Sequence, residues 1–202
     1  MDFEKVLRSR HSIREYKQTD VSYKDLGVIL DAAITAPSSG NMQNWRFIIV
    51  KDKKKKEEIA RSCLDQLWMN QAPVHIVVCY DEENIKKLFP EDYYEFSIQN
   101  TAIISTYIIL KATELNLGSC WVAISNKRRI ERILELPENY KPVNVITLGY
   151  PINGYRKTTR EQVKFLIHFE SYRKRERDTS LVPLSKNIEK IKEKVKTRLK
   201  RK

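Results

Sequence analysis

The stretch from Tyr94 to Leu117 constrains this chain more than any other. Ile98, Ala102, Ser105, Ile109 and Ala112 recur along it at helical spacing, placing small and apolar side chains on one face. That is the pattern of a long core helix, against which other elements must pack. Gly118 follows and is expected as the C′ residue that ends the helix.

On either side the chain alternates short helices and strands. Residues 2–9 read as a helix capped by Asp2, with Phe3, Val6 and Leu7 on one face. Ser22 opens a second helix, Asp25 standing where a capping box usually has Glu, and Leu26, Ile29, Leu30 and Ala33 keep helical spacing. Pro37-Ser38-Ser39-Gly40-Asn41 stops it and forms a loop. Trp45–Val50 and Val74–Tyr80 read as strands, with a charged surface helix, Lys53–Arg61, between them. After the core helix come a short apolar run (Cys120–Ile124), a helix capped by Asn126 and reaching Leu136, and a strand over Val143–Gly149. Lys164–Phe169 is expected as a last short strand or extended arm. Helices interleaved with four or five strands give an α/β or α+β class.

Charge distribution limits the function classes. The net charge is +12, which invites a nucleic-acid reading. Residues 171–202 hold 13 Lys and Arg against 4 Asp and Glu, a net of +9, so only +3 remains on the first 170. The basicity belongs to a tail. No window approaches the ~18 unbroken apolar residues of a membrane span, and MDFEKVLRSRH has no apolar stretch of the kind a secretory leader needs. Cys63, Cys79 and Cys120 share no CxxC spacing and cannot all pair, so buried free thiols in a reducing cytoplasm are expected.

The familiar self-sufficient catalytic patterns are missing. His11, His75 and His168 lack metal-ligand spacing, and there is no GxSxG, GxxxxGK[ST] or GxGxxG. No metal site and no catalytic side-chain pair is expected, so an enzyme of this sequence would need a cofactor for the hard chemistry. Four segments could serve one. Arg8-Ser9-Arg10-His11-Ser12-Ile13-Arg14 offers guanidinium forks and hydroxyls suited to a phosphate monoester, though it also reads as a solvated basic loop. Ala36 to Phe47 offers hydroxyls and amides (Ser38, Ser39, Asn41, Gln43, Asn44) able to donate and accept at a flavin-like pyrimidine edge, or serves as a plain polar loop. Leu117-Gly118-Ser119-Cys120-Trp121 lets backbone approach a ligand. Gly149-Tyr150-Pro151 leads to the basic pair Arg156-Lys157.

In this order, the segments resemble the nitroreductase family of FMN enzymes. The matching pieces are Arg10-His11-Ser12-Ile13-Arg14, APSSGNMQNWRFIIV at 36–50, Asn70 ahead of APVHIVVCY at 72–80, ELNLGSCW at 114–121, ITLGYP at 146–151, and Arg156-Lys157. The resemblance covers about residues 1–170. It implies an α+β fold with a central, mostly antiparallel sheet flanked by helices, and a homodimer with two FMN sites at the subunit interface. It also implies NADH or NADPH as co-substrate, the hydride passing through flavin N5 to an electron-poor acceptor such as a nitroaromatic, quinone or free flavin. On this resemblance Arg10, His11, Ser12, Arg14 and Arg156 would meet the phosphate and ribityl chain. Pro37, Ser38, Ser39 and Asn41 would reach the flavin from the partner. Asn70, with Gln43 as a further candidate, would bond the pyrimidine edge, and the backbone at Gly118 and Ser119 would approach N5.

Two departures stand out. Gln43-Asn44-Trp45 lacks the proline common between the glutamine and tryptophan, which alters loop stiffness. Residues 171–202 are additional and inherit no family role; over 185–202, Ile188, Ile191, Val195 and Leu199 keep helical spacing. Two other functions stay open in the sequence. One is a specialised relative acting in dehalogenation, flavin fragmentation or azoline oxidation. The other is a nucleic-acid or membrane-surface binder acting through the tail, against which the absence of Trp and Phe from the tail's apolar stripe and of aromatics for base stacking argues. The plainer reading of the tail is an arm packed on a dimer partner.

Overall fold

A computed structural model describes residues 1–153 and 158–174. Two compact units divide after Arg156. In the first, helices α1 (Phe3–Ser9) and α2 (Tyr23–Ala33) precede strand β1 (Trp45–Val50), helix α3 (Lys53–Arg61) and strand β2 (Val74–Asp81). Helix α4 (Glu83–Leu88), helix α5 (Tyr93–Glu114), strand β3 (Gly118–Ala123), helix α6 (Lys127–Ile133) and strand β4 (Tyr140–Gly149) complete it. The four strands form one sheet in the order β1-β2-β4-β3, every pair antiparallel. This is the expected α+β arrangement with an antiparallel sheet.

Strand β2 is buried at all eight positions because both its faces are covered. Val74, Ile76 and Val78 pack with α2 and α5 residues such as Leu26, Ile29, Ile104 and Ile108. Val77 and Cys79, of opposite parity, pack with Ile59, Ala60 and Ile130 of α3 and α6. The sheet is therefore the middle of three layers. Its core needs the long α5, whose inward face also carries Ser97, Asn100, Thr101 and Ser105.

Helix α5 ends otherwise than expected. Asn116, at φ 60°, is the left-handed C′ residue. Its N–H donates to Thr113 C=O at 3.0 Å and the Leu117 N–H to Ala112 C=O at 2.9 Å, the paired bonds of a Schellman motif. Gly118 is instead the first residue of β3. Asparagine tolerates the left-handed region through its short polar side chain, which leaves the glycine for another role.

The second unit begins at Lys157, with described residues from Thr158 to Lys174. The strand or arm expected at Lys164–Phe169 is a single helical turn, Val163–Leu166, where the Phe165 N–H bonds back to Gln162 C=O at 2.9 Å. A strand requires a neighbour for its N–H and C=O groups, and no strand pairs with this segment among the described residues. Arg156 and the helix expected over 185–202 lie outside the described residues.

Candidate cofactor site

The loop after α1 lies along one end of the sheet. Ser12 bridges Ser119 in parallel, with the Ile13 N–H donating to Ser119 C=O at 2.9 Å. Tyr16 bridges Pro151, and the Lys17 N–H donates to Tyr150 C=O at 2.8 Å. Glycines permit this approach. Gly118 and Gly149 are register partners on β3 and β4. A Cβ at 118 would stand 2.9 Å from Ile13 Cγ1, and one at 149 would stand 2.5 Å from Pro73 Cδ and 2.9 Å from Tyr16 Cδ1. Space, not backbone freedom, is what both positions require. Tyr16 then anchors the loop from below: its buried hydroxyl donates to Ile13 C=O at 2.6 Å and lies 2.8 Å from Thr147 Oγ1. Burial pushes this phenol's pKa up, so it stays neutral.

Anchored in this way, the loop presents its basic residues at the same end. The Arg10 N–H closes α1 on Val6 C=O at 3.0 Å, and His11 Nδ1 is 2.7 Å from Ser9 C=O. The Arg14 guanidinium stands 5.6 Å from the Trp68 ring centre, a cation–π contact that holds an otherwise exposed side chain in place. Arg14, Ser12 and Arg10 also surround Cys120. Burial raises the thiol's pKa, with the two guanidiniums and the Ser12 hydroxyl pulling weakly the other way. Cys120 is therefore a protonated packing residue and no nucleophile.

Trp68 belongs to a 3-10 turn, Leu67–Gln71, that also carries Asn70. The Asn70 Oδ1 is buried and has no hydrogen-bond partner among the described residues. Neither has the Ser119 hydroxyl, in a residue only 2% exposed. Buried polar atoms are normally paired, and leaving one unmade costs about 1–3 kcal/mol. Seven residues expected at a cofactor therefore gather at one end of the sheet: Arg10, His11, Ser12, Arg14, Asn70, Gly118 and Ser119.

The other expected residues sit at the opposite end. Pro37, Ser38, Ser39, Asn41 and Gln43 precede Trp45, which pairs with Tyr80 at the far end of β2. Seven residue steps separate Val74 from Asp81, roughly 23 Å of strand. Gly40, Asn41 and Gln43 have φ of 56°, 55° and 45°, so the backbone here is tightly coiled. A buried amide network holds it. Asn100 Oδ1 accepts from the Ser39 N–H at 2.9 Å and from its hydroxyl at 3.2 Å. Asn100 Nδ2 donates to Asn44 Oδ1 at 3.0 Å, and Asn44 Nδ2 to Ser97 Oγ at 2.9 Å and Asp81 C=O at 3.2 Å. Ser38 Oγ accepts from the Gln43 N–H at 3.0 Å, and Gln43 Nε2 donates to Asn41 Oδ1 at 3.0 Å.

Sequence reading missed Tyr16, Trp68 and Asn100. Asn100 left a trace, as an amide in helical register with Ser97 and Ile104 on the inward face of α5. Tyr16 and Trp68 left none, since the contacts that place them at the site, Thr147 for Tyr16 and Arg14 for Trp68, are more than fifty residues away. Among the described residues no three His, Cys, Asp or Glu side chains gather as a metal site would require, and no helix is long and apolar enough to cross a membrane.

Known proteins resemble this chain over most of its length. The family model described as "Nitroreductase family" matches residues 7–86 and 62–150. A protein of Archaeoglobus fulgidus with the provisional name NADH dehydrogenase/NAD(P)H nitroreductase is 32% identical over 151 residues, covering 73% of this chain and 84% of that protein. The FMN reductase [NAD(P)H] of Bacillus subtilis is 29% identical over 191 residues, covering 87% and 76%. Among solved structures, an FMN-dependent nitroreductase from Clostridium difficile is 30% identical with a TM-score of 0.72, covering 83% of this chain and 98% of that one. With a family model over most of its first 150 residues and a relative above 30% identity, the chain belongs to the nitroreductase family.

Proposed function

We propose that this chain is an NAD(P)H-dependent oxidoreductase that binds FMN at the end of the sheet where the Arg10–Arg14 loop, Asn70 and Gly118–Ser119 converge. Relatives named FMN reductase and NADPH-flavin oxidoreductase support the cofactor and co-substrate. The observation that carries the reading is the unpartnered Asn70 Oδ1, two residues from the tryptophan on which Arg14 rests. An orphaned acceptor beside ordered cationic donors suits a ligand bearing both an N–H edge and a phosphate, and FMN has both.

FMN supplies, when bound, the two-electron chemistry linking NAD(P)H oxidation to reduction of a second substrate. The chain's own residues bind and orient. Arg10, Arg14 and Ser12 hold the phosphate and ribityl chain through charge-assisted hydrogen bonds. Asn70 Oδ1 accepts from the pyrimidine edge. Backbone at Gly118 and Ser119 closes one side, and Arg156 is a further candidate for the phosphate. No side chain need act as acid or base, which accords with the protonated Cys120. The acceptor is an electron-poor small molecule: a nitroaromatic, a quinone or a free flavin.

A homodimer completes the site in this reading. Pro37, Ser38, Ser39, Asn41 and Gln43 lie roughly 23 Å of strand away from the other set, further than one flavin ring system reaches, so they would come from a second copy. A groove of about 340 Å³ between α1, α2 and α5, with Phe3 (67% exposed) and Tyr107 (37% exposed) among its lining residues, offers that copy an apolar face.

Purified chain, loaded with FMN and freed of excess, is expected to keep the yellow flavin absorption and to bleach with NADH or NADPH in the absence of oxygen. Arg14→Ala is expected to weaken FMN binding by about 1.5–3 kcal/mol, roughly tenfold or more in Kd. A wild-type chain that stays colourless sinks the cofactor assignment, and unchanged affinity in the variant removes Arg14 from it.

A further inference from the structure

The turn that carries Asn70 is gripped from beneath by two buried polar side chains that the cofactor reading does not use. His75 on β2 is fully buried, and its Nε2 stands 2.9 Å from Met69 C=O. Lys56 on α3 is buried as well, and its Nζ donates to Ala72 C=O at 2.6 Å and to Pro73 C=O at 3.4 Å. The Ala72 N–H closes the turn on Met69 C=O at 3.0 Å. Asn70 and Gln71 are thus the two residues spanned between gripped carbonyls.

Both side chains are costly where they stand. A carbonyl only accepts, so Nε2 must carry the imidazole proton. Nδ1 is then an acceptor, and it is buried without a partner among the described residues. A leucine of similar volume would bury better. Lys56 puts an ammonium in a buried position whose desolvation lowers its pKa. What each gains is a hydrogen bond to the backbone on one side of Asn70. Strand and helix thereby fix a short turn whose own 3-10 bonding is weak.

We propose that His75 and Lys56 are positioning residues for Asn70, holding the 69–72 turn so that Oδ1 stays fixed for the ligand it receives. This rests on the FMN reading of the site and adds residues that touch no part of it. The pair makes the pyrimidine-edge contact a rigid one, whose value in affinity comes from preorganisation.

The test is a double-mutant cycle on FMN affinity, read by quenching of flavin fluorescence, with melting followed by circular dichroism. His75→Leu is expected to melt cooperatively and to raise the Kd for FMN about tenfold, while His75→Gln, whose Nε2 can reach Met69 C=O, recovers most of that loss. In an Asn70→Ala background His75→Leu is expected to add less than a twofold change, because the contact it supports is already gone. Effects that simply add, or a His75→Gln variant as weak as His75→Leu, overturn the proposal. Should His75→Leu not fold, His75→Asn, whose shorter amide falls short of Met69, takes its place in the cycle. A wild-type chain that binds no FMN defeats the cofactor reading itself. Wild-type binding that Asn70→Ala leaves intact keeps the cofactor but removes Asn70 from its contacts, and with it the positioning role of the turn.

Discussion

The two ends of the sheet treat buried polar groups in opposite ways. At the Trp45 end, Asn44, Ser97 and Asn100 are all buried, and each is hydrogen-bonded inside the chain. At the Gly149 end stand all three of the buried side-chain atoms without a partner among the described residues: Asn70 Oδ1, His75 Nδ1 and Ser119 Oγ. The first end is finished by folding. The second is built to standard in its backbone, with Tyr16, Gly118 and Gly149 fitted closely, yet keeps unmade bonds in its side chains. Unmade bonds in a well-packed place are what a ligand site looks like before its ligand is counted.

The contrast can be broken most forcefully at the finished end. Asn100→Leu removes the acceptor of the Ser39 N–H and hydroxyl and the donor to Asn44 Oδ1. A loss of about 3 kcal/mol is expected in flavin-free protein, measured by urea denaturation. A loss under about 1 kcal/mol would mean that this network is no better satisfied than the other end.

An effect of similar size comes from pH. Burial lowers the His75 pKa from 6.5 to about 4, with Lys56 nearby adding to the shift and the Met69 carbonyl opposing it. The folded chain keeps His75 neutral while the unfolded chain takes up a proton below its ordinary pKa. Stability is thus intact above pH 6.5 and falls as pH drops towards 4, by about 1.4 kcal/mol for each full pH unit. His75→Gln is expected to flatten that part of the stability profile. An unchanged slope would mean that His75 does not titrate differently on folding.

The smallest effect sharpens the comparison most. Ser119→Ala removes a hydroxyl that bonds to nothing among the described residues, so flavin-free stability should stay level or rise by up to about 1 kcal/mol. A drop in melting temperature instead would reveal a partner for Ser119 and move that atom to the satisfied side.

Much of this was legible in the sequence because it depends on neighbours along the chain. The bounds of β1 and α3 and the Asp2, Ser22 and Asn126 caps follow from local spacing. Arg10, Ser12, Arg14 and Asn70 were found from motif order, and they do gather at one end. The amides and hydroxyls of 37–43 were found too, but not that a full strand length separates them from the rest. What was illegible depends on pairs distant in sequence. Gly118 read as a helix stop because a glycine after a helix usually is one; its reason is Ile13, more than a hundred residues earlier. Lys164–Phe169 has strand-like residues, but a strand is made by a partner, which local spacing cannot supply.

The docking of the Arg10–Arg14 loop also bears on how the protein is made. Ser12 meets Ser119, and Tyr16 meets Thr147 and Pro151. On a ribosome the loop emerges well before its seat, which does not exist until β4 has been synthesised and paired. The loop is made before the strand that completes its seat, so a nascent chain interrupted before β4 can form α5 and pair β1 with β2 but not build the cradle for its basic loop. Such long-range closure carries a loop-entropy cost that local contacts do not share. Competence to take up a cofactor therefore arrives only once β4 is paired.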